Sequence, residues 1–216
     1  MRRSVARLAR RLAVALTVPA AVAACSDDGP PVTAPVIVVD VAATGCDRPL
    51  PSRGVGVAVA DGLVATAAHV VDGPRRDVTV DGRAADVVLV DARTDLALLA
   101  APVHGTAVLG PQPTGGRDVV VRTPVAALPV TIVRTGTLIV HDTSAGVRHE
   151  REAHTIRPGV TEGTSGAPLV DGRGAVVGIV ILDNQGDGTA YAVTSAELAA
   201  LLTENRRPAA DVRCRE

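Results

Sequence analysis

The chain has 216 residues and a formal net charge of -1, and its basic residues are all Arg, so it lacks the basic field that a nucleic-acid partner requires. Hydrophobic residues make up 47%, but Val and Ala dominate and Tyr191 is the only aromatic, which excludes a core built on large rings and favours strands over helices. This length suits one two-lobed domain or two small ones.

The N-terminus reads as an export signal over 1–24. Arg2, Arg3, Arg7, Arg10 and Arg11 form a charged head, and the apolar stretch 12–24 is too short to cross a bilayer, which takes about 20 residues. It closes on Val22-Ala23-Ala24-Cys25, which resembles a bacterial lipobox. Cleavage before Cys25 and its lipidation would leave the protein exported and held on the outer face of the membrane; ordinary cleavage would leave a free thiol or a secreted protein. Residues 25–44 then read as the anchor Cys and a Pro-rich spacer, with 36–41 as an alternative first strand, and 45–216 as the folded domain. Three cysteines are an odd number for an exported protein. Assigning Cys25 to lipid pairs Cys46 with Cys214, a bridge worth about 4–5 kcal/mol in the chain-entropy view.

From 55 onward, short apolar runs alternate with turn residues. The run 55–60, the Asp61-Gly62 pair and the run 63–66 form a hairpin signature. Further runs at 78–80, 86–90, 96–100, 119–122, 130–140, 147–156, 168–170, 176–182 and 189–193 predict an all-β sandwich or barrel. Helices are expected only at 67–71 and at 195–204, the second with Ser195 as N-cap.

Three segments carry chemistry: Thr66-Ala67-Ala68-His69, Thr94-Asp95-Leu96-Ala97-Leu98, and Gly163-Thr164-Ser165-Gly166-Ala167-Pro168. A serine hydroxyl needs an imidazole to take its proton, and the imidazole needs a carboxylate to fix its tautomer. Small residues before His69 permit a tight turn out of a strand. Apolar residues after Asp95 carry it toward a core, and glycines around Ser165 let the Gly163 and Ser165 N–H groups converge on an oxyanion. All five histidines, at 69, 104, 141, 149 and 154, precede Ser165, which excludes the order of an α/β-hydrolase. His149 and His154 would point to opposite faces of one strand, so the 149–154 segment is read as a solvated face, and neither a metal nor a cofactor is expected.

On these segments, with Ala65-Thr66-Ala67-Ala68-His69-Val70-Val71, Asp95-Leu96-Ala97-Leu98-Leu99, residues 163–169, Gly178-Ile179-Val180 and Thr189-Ala190-Tyr191-Ala192-Val193, the chain resembles the trypsin-like (chymotrypsin-fold) serine proteases. Within them it resembles the bacterial extracytoplasmic branch that includes the HtrA proteases and the membrane-anchored acid-resistance proteases of actinobacteria, over about residues 50–205. The resemblance implies a double six-stranded β-barrel with a C-terminal helix and a triad of His69, Asp95 and Ser165 in the cleft. It implies protein or peptide substrates, Gly159 on the floor of the pocket for the residue before the cut, Gly178, Ile179 and Val180 along its wall, and Gly178 to Ile181 as the strand that substrate backbone pairs with. Two departures stand out: Ala167 replaces a family Gly, which would be strained at positive φ, and Thr164 replaces the acid on which digestive relatives rely for activation. The rival reading is a catalytically silent protease fold serving as a binding or scaffold lipoprotein.

Overall fold

A computed structural model describes residues 35–46, 50–73, 75–142, 147–184 and 186–203. The export signal, Cys25, the start of the spacer and Cys214 lie outside the described residues. The first lobe contains β1 (Val38–Gly45), β2 (Ser52–Ala60), β3 (Leu63–Ala67), the one-turn helix α1 (Ala68–Val71), β4 (Arg75–Val80), β5 (Arg83–Ala84), β6 (Asp86–Asp91) and β7 (Leu96–Ala100). Its strands form one curled antiparallel sheet in the order β5-β4-β1-β2-β3-β7-β6. The second contains β8 (Arg117–Arg122), β9 (Ala127–Asp142), β10 (Val147–Arg157), β11 (Pro168–Val170), β12 (Val176–Asn184), β13 (Thr189–Thr194) and the helix α2 (Ser195–Thr203). Its six strands close into a barrel, β10-β13-β12-β11-β8-β9. The fold is the chymotrypsin-like double barrel that the resemblance implies. The first lobe departs from six strands by the two-residue edge strand β5.

Two expectations at the ends of elements are corrected. The spacer expected over 25–44 ends sooner, as the alternative first strand at 36–41 has it: β1 begins at Val38 and sits inside the sheet between β2 and β4. Directly after β1, Cys46 is disulfide-bonded. At α2 the cap is Thr194, whose hydroxyl accepts the Glu197 N–H at 3.4 Å, while Ser195 Oγ donates to the Gly110 carbonyl at 2.8 Å. The hydroxyl expected to cap the helix ties it to the segment between the lobes instead.

With Tyr191 the only aromatic, packed at the edge of the first cluster, the interior is filled by Val, Ala, Leu and Ile. The largest fully buried side chains are Leu96, Leu99, Ile132, Ile156, Leu169, Ile179, Ile181 and Leu198, and each such residue stabilises by about 1.5–3 kcal/mol. The two clusters exchange members: Leu198 and Leu201 of α2 pack with the first lobe, and Val55 of β2 packs with the second. Each lobe therefore lacks part of its core without the other.

The solvated face expected at 149–154 is found only in part: Glu150 is exposed and His149 and Glu152 are half-buried, but the rest of the segment is covered. Arg151 is buried, and His154 lies inside the barrel, its Nε2 3.0 Å from the Val177 carbonyl and its Nδ1 2.7 Å from Thr135 Oγ1. Where β10 joins the closed barrel, the neighbouring residues Ala153 and His154 are both buried, so both faces of the strand meet protein there. Burial is the main influence on His154 and holds its pKa below the ordinary histidine range, with the hydrogen bond to Val177 opposing it. A histidine held neutral in the fold but free to charge when unfolded stabilises fully above about pH 6.5, and that stabilisation is lost as the pH falls. Melting curves should therefore show the parent losing stability from pH 7.5 to 5.5, by up to about 1.4 kcal/mol per pH unit, with His154→Gln flattening the decline. Equal slopes in the two proteins would contradict this account.

Candidate active site

β3 and β7 pair antiparallel with Ala67 opposite Leu96, so the residues just after one strand meet the residue just before the other. His69 and Asp95 occupy those places. The Ala68 N–H donates to the Asp95 carbonyl at 2.8 Å and the His69 N–H to Asp95 Oδ1 at 2.9 Å, while His69 Nδ1 lies 2.8 Å from Asp95 Oδ2. One residue thus grips both the backbone and the ring. A carboxylate only accepts hydrogen bonds, so Nδ1 carries the proton, and in the neutral ring Nε2 is left as the base. The ring side chain is 47% exposed and the carboxylate 19%, so the ring stays open to solvent while its partner is largely covered.

Asp95 sits at φ 59°, a left-handed conformation that Asp tolerates better than most residues, at the end of the turn between β6 and β7. That turn is held from within, Asp91 accepting from the Thr94 hydroxyl at 2.7 Å and from the Arg93 N–H at 3.1 Å. It is also held from the second lobe. Arg93 donates to both carboxylate oxygens of Glu197 on α2, at 3.2 and 2.7 Å, and to the Glu150 carbonyl at 3.3 Å. Glu197 in turn accepts the Glu152 N–H at 3.1 Å. Its carboxyl is held below the usual carboxylate range, chiefly by Arg93. Arg93, Glu197 and the buried Arg151 were not singled out by the sequence reading. Arg151 shares the register of buried Ala153, two residues along β10, and that was the signal available.

Ser165 lies in the tight loop before β11. Its carbonyl accepts the Val55 N–H at 2.8 Å, the Val55 carbonyl accepts the Thr66 hydroxyl at 2.7 Å, and Gly166 N–H donates to Val180 at 2.7 Å. Thr66 stands three residues before His69, so the serine loop is stitched to the histidine segment through Val55. Gly166 has φ 89°, and a Cβ there would lie 1.9 Å from the Val55 carbonyl oxygen and 2.5 Å from Thr66 Oγ1. Gly54 completes the junction: its added Cβ would meet the Ser165 carbonyl oxygen and Val70, the residue after His69, each at 2.7 Å. Ser165 is half-buried, and among the described residues its hydroxyl makes no hydrogen bond to His69. The N–H groups of Gly163 and Ser165 likewise donate to no acceptor among the described residues, and Gly163 takes φ 88°. Positive φ thus falls on Gly163 and Gly166, and Ala167 sits buried at ordinary φ, so the substitution there carries no backbone strain.

The residues expected to bind substrate divide. Gly159 donates its N–H to the Gly188 carbonyl at 2.7 Å, close before the serine loop. Gly178 and Ile179 pair with β11 on one edge and β13 on the other, and Val180 exchanges hydrogen bonds with Gly166 and Ala167 while pairing with Ala192. All three are buried with both backbone edges occupied, so they have no edge to lend a substrate, which corrects the expectation. The edge opens one step later: Leu182 is 45% exposed and pairs with Tyr191 alone. Among the described residues, no group of three or more His, Cys, Asp or Glu is placed to hold a metal.

A family model, the trypsin-like peptidase domain, matches residues 54–179. The structure is similar to the Rv3671c protease of M. tuberculosis in its active form, at 29% identity and TM-score 0.74, covering 82% of this chain and 85% of that one. The inactive form of the same protease matches at 30% identity and TM-score 0.65, over 76% and 86%. A serine endoprotease from Yersinia pestis, 21% identical over 78% of this chain and 62% of that one, shares the fold at TM-score 0.58. No curated protein matches the chain in sequence.

The closeness of Gly166 to the Val55 carbonyl makes it the most exacting position of the site. Gly166→Ala should lower stability by at least about 3 kcal/mol in denaturant unfolding, from left-handed strain and steric overlap together, and should abolish peptide hydrolysis. A variant with parental stability and activity would contradict the described loop.

Proposed function

Because the chain belongs to the trypsin-like peptidase family and is a serine endopeptidase, we propose that it cleaves peptide bonds with Ser165 as nucleophile, His69 as general base and Asp95 as the group that orients the base. His69 Nε2 takes the Ser165 hydroxyl proton as Oγ attacks the scissile carbonyl. Asp95 stays ionised, keeps the proton on Nδ1 and stabilises the imidazolium that forms. The N–H groups of Gly163 and Ser165 receive the developing oxyanion, a contact worth about 10²–10³ in rate per donor. The imidazolium then protonates the leaving amine, and water, activated by the same His69, hydrolyses the acyl-Ser165 ester. The observation that carries this reading is the double grip of Asp95 on the His69 backbone and ring, at the junction where a Cβ on Gly54 would meet both the Ser165 carbonyl and Val70.

Specificity rests on the region around Gly159. No charged side chain stands at Gly159 or at Gly188, to which it is bonded, which supports a small or medium apolar residue before the cut. The opened edge of β12 at Leu182, rather than Gly178 to Val180, is the place for substrate backbone to pair.

The export signal and the Val22-Ala23-Ala24-Cys25 ending support a protein anchored outside the cytoplasm through lipidated Cys25. Cys214 is then the partner for Cys46, joining the tail beyond α2 to the end of β1. That bridge constrains the unfolded chain and leaves the active site untouched.

Ser165→Ala or His69→Ala should each lower kcat by on the order of a million-fold while leaving the melting curve near the parent's. A fluorophosphonate probe should label the parent at Ser165. An unlabelled parent would favour the silent binding fold, and activity persisting in Ser165→Ala would refute the assignment. Separately, Cys25→Ser should move the protein from the membrane fraction to the soluble one; unchanged retention would point to an uncleaved signal.

A further inference from the structure

Arg151 is out of place as a strand residue. Its side chain is 4% exposed, on the part of β10 that crosses from the second lobe to the turn carrying Asp95. Its NH1 lies 3.8 Å from Asp95 Oδ2, the oxygen that also binds the His69 ring. NH2 reaches only the Ala92 carbonyl, at 3.5 Å, and Nε is buried without a partner among the described residues. A guanidinium removed from water and so poorly bonded to neutral acceptors keeps most of its charge for the nearest anion.

The charged groups facing it come from three elements. The turn supplies Asp91, Arg93 and Asp95, α2 supplies Glu197, and His69 of α1 lies beyond the Asp95 carboxylate. Arg93 and Glu197 are joined bidentately and largely satisfy each other, and Asp91 is occupied by the Thr94 hydroxyl and the Arg93 N–H. Asp95 is therefore the anion that Arg151 addresses. Burial is the main influence on Arg151 and lowers its pKa, with Asp95 as the leading opposing one, yet a guanidinium starts so high that it stays charged at any pH at which a protease works.

We propose that Arg151 is a positioning residue that acts through Asp95, its charge fixing the carboxylate against the second lobe and offsetting part of the carboxylate's pull on a proton at His69. It rests on the reading of His69, Asp95 and Ser165 as the catalytic set. The chemical consequence is specific. Asp95 alone stabilises imidazolium both in the transition state and in the resting enzyme, where it would idle the base as the pH falls. A cation beyond Asp95 opposes the resting proton and keeps the base free at lower pH. A merely structural ion pair would instead affect folding and rate equally at every pH.

The test is the pH profile of kcat/KM for the full chain with a peptide substrate, in the parent, Arg151→Met and Arg151→Lys. Removing the charge should move the acid limb up by about half to one pH unit, since charges within a few ångströms shift titrations by about 1–3 units and this one acts across Asp95. Arg151→Lys, which keeps the charge, should leave the limb within about 0.3 units of the parent's, a small part of the shift that a neighbouring charge causes. If Arg151→Met does not fold, Arg151→Gln is read in its place. A limb that stays put in the uncharged variant overturns the proposal, as does a uniform loss of rate at every pH, or a limb that moves equally in the Lys variant. Fluorophosphonate labelling of parental Ser165 separates these outcomes from failure of the catalytic reading itself: a labelled parent with an unmoved limb rejects the role of Arg151 alone.

Discussion

The Val55 carbonyl is the point on which the site turns. It accepts the Thr66 hydroxyl three residues before His69, and it stands so close to residue 166 that only glycine fits beside it, directly after Ser165. The neighbouring Val55 N–H holds the Ser165 carbonyl. One residue of β2 therefore joins the segment bearing His69 to the loop bearing Ser165, and its side chain belongs to the core of the opposite lobe. A hydroxyl and an imidazole that belong to different lobes can cooperate only if the lobes cannot slide. Between the lobes this junction is a backbone hydrogen bond, Val55 N–H to the Ser165 carbonyl, which has no rotamers to lose; within the first lobe the Thr66 hydroxyl completes it.

A core without large rings shapes how the lobes are joined. Val and Ala pack well between strands but present little area per residue for binding one lobe to another. Part of the inter-lobe attachment falls to α2, whose Leu198 and Leu201 complete the first lobe, and part falls to charged groups. Arg93 of the first lobe reaches Glu197 and the Glu150 carbonyl of the second, while Arg151 of the second reaches Asp95 and the Ala92 carbonyl of the first. The turn carrying Asp95 is thus clasped by an exchange of arginines. Arg93 is half-exposed and Arg151 buried, and neither kind of pair adds much to stability, the first because solvent screens it and the second because of its desolvation cost. Asp95, in a left-handed conformation at a turn, is the residue for which register matters most.

The sequence alone determined the local and the ordered: strands wherever β-branched runs end at Asp-Gly or Gly-rich turns, a helix at the end, and the succession His69, Asp95, Ser165. The strands and helix follow from periodicity and turn chemistry, which act over a few residues, and the three residues from the short motifs that carry them and the family those motifs resemble. The adjacency of His69 and Asp95 was implied by the resemblance alone; the pairing of β3 with β7 that produces it is tertiary. Tertiary structure alone decided which edge of β12 is open. Gly178, Ile179 and Val180 match the substrate strand by motif, yet β11, the serine loop and β13 close both of their edges, and pairing between strands far apart in sequence leaves no mark on any one of them. It also decided the fate of polar residues. Ser195 looks like a cap but ties down Gly110, and the cap is Thr194. His154 and Arg151 sit on a strand whose polar composition reads as solvated, but one is enclosed by the barrel and the other by the opposite lobe. Burial depends on what packs over a strand, and that is settled only when the lobes close on each other.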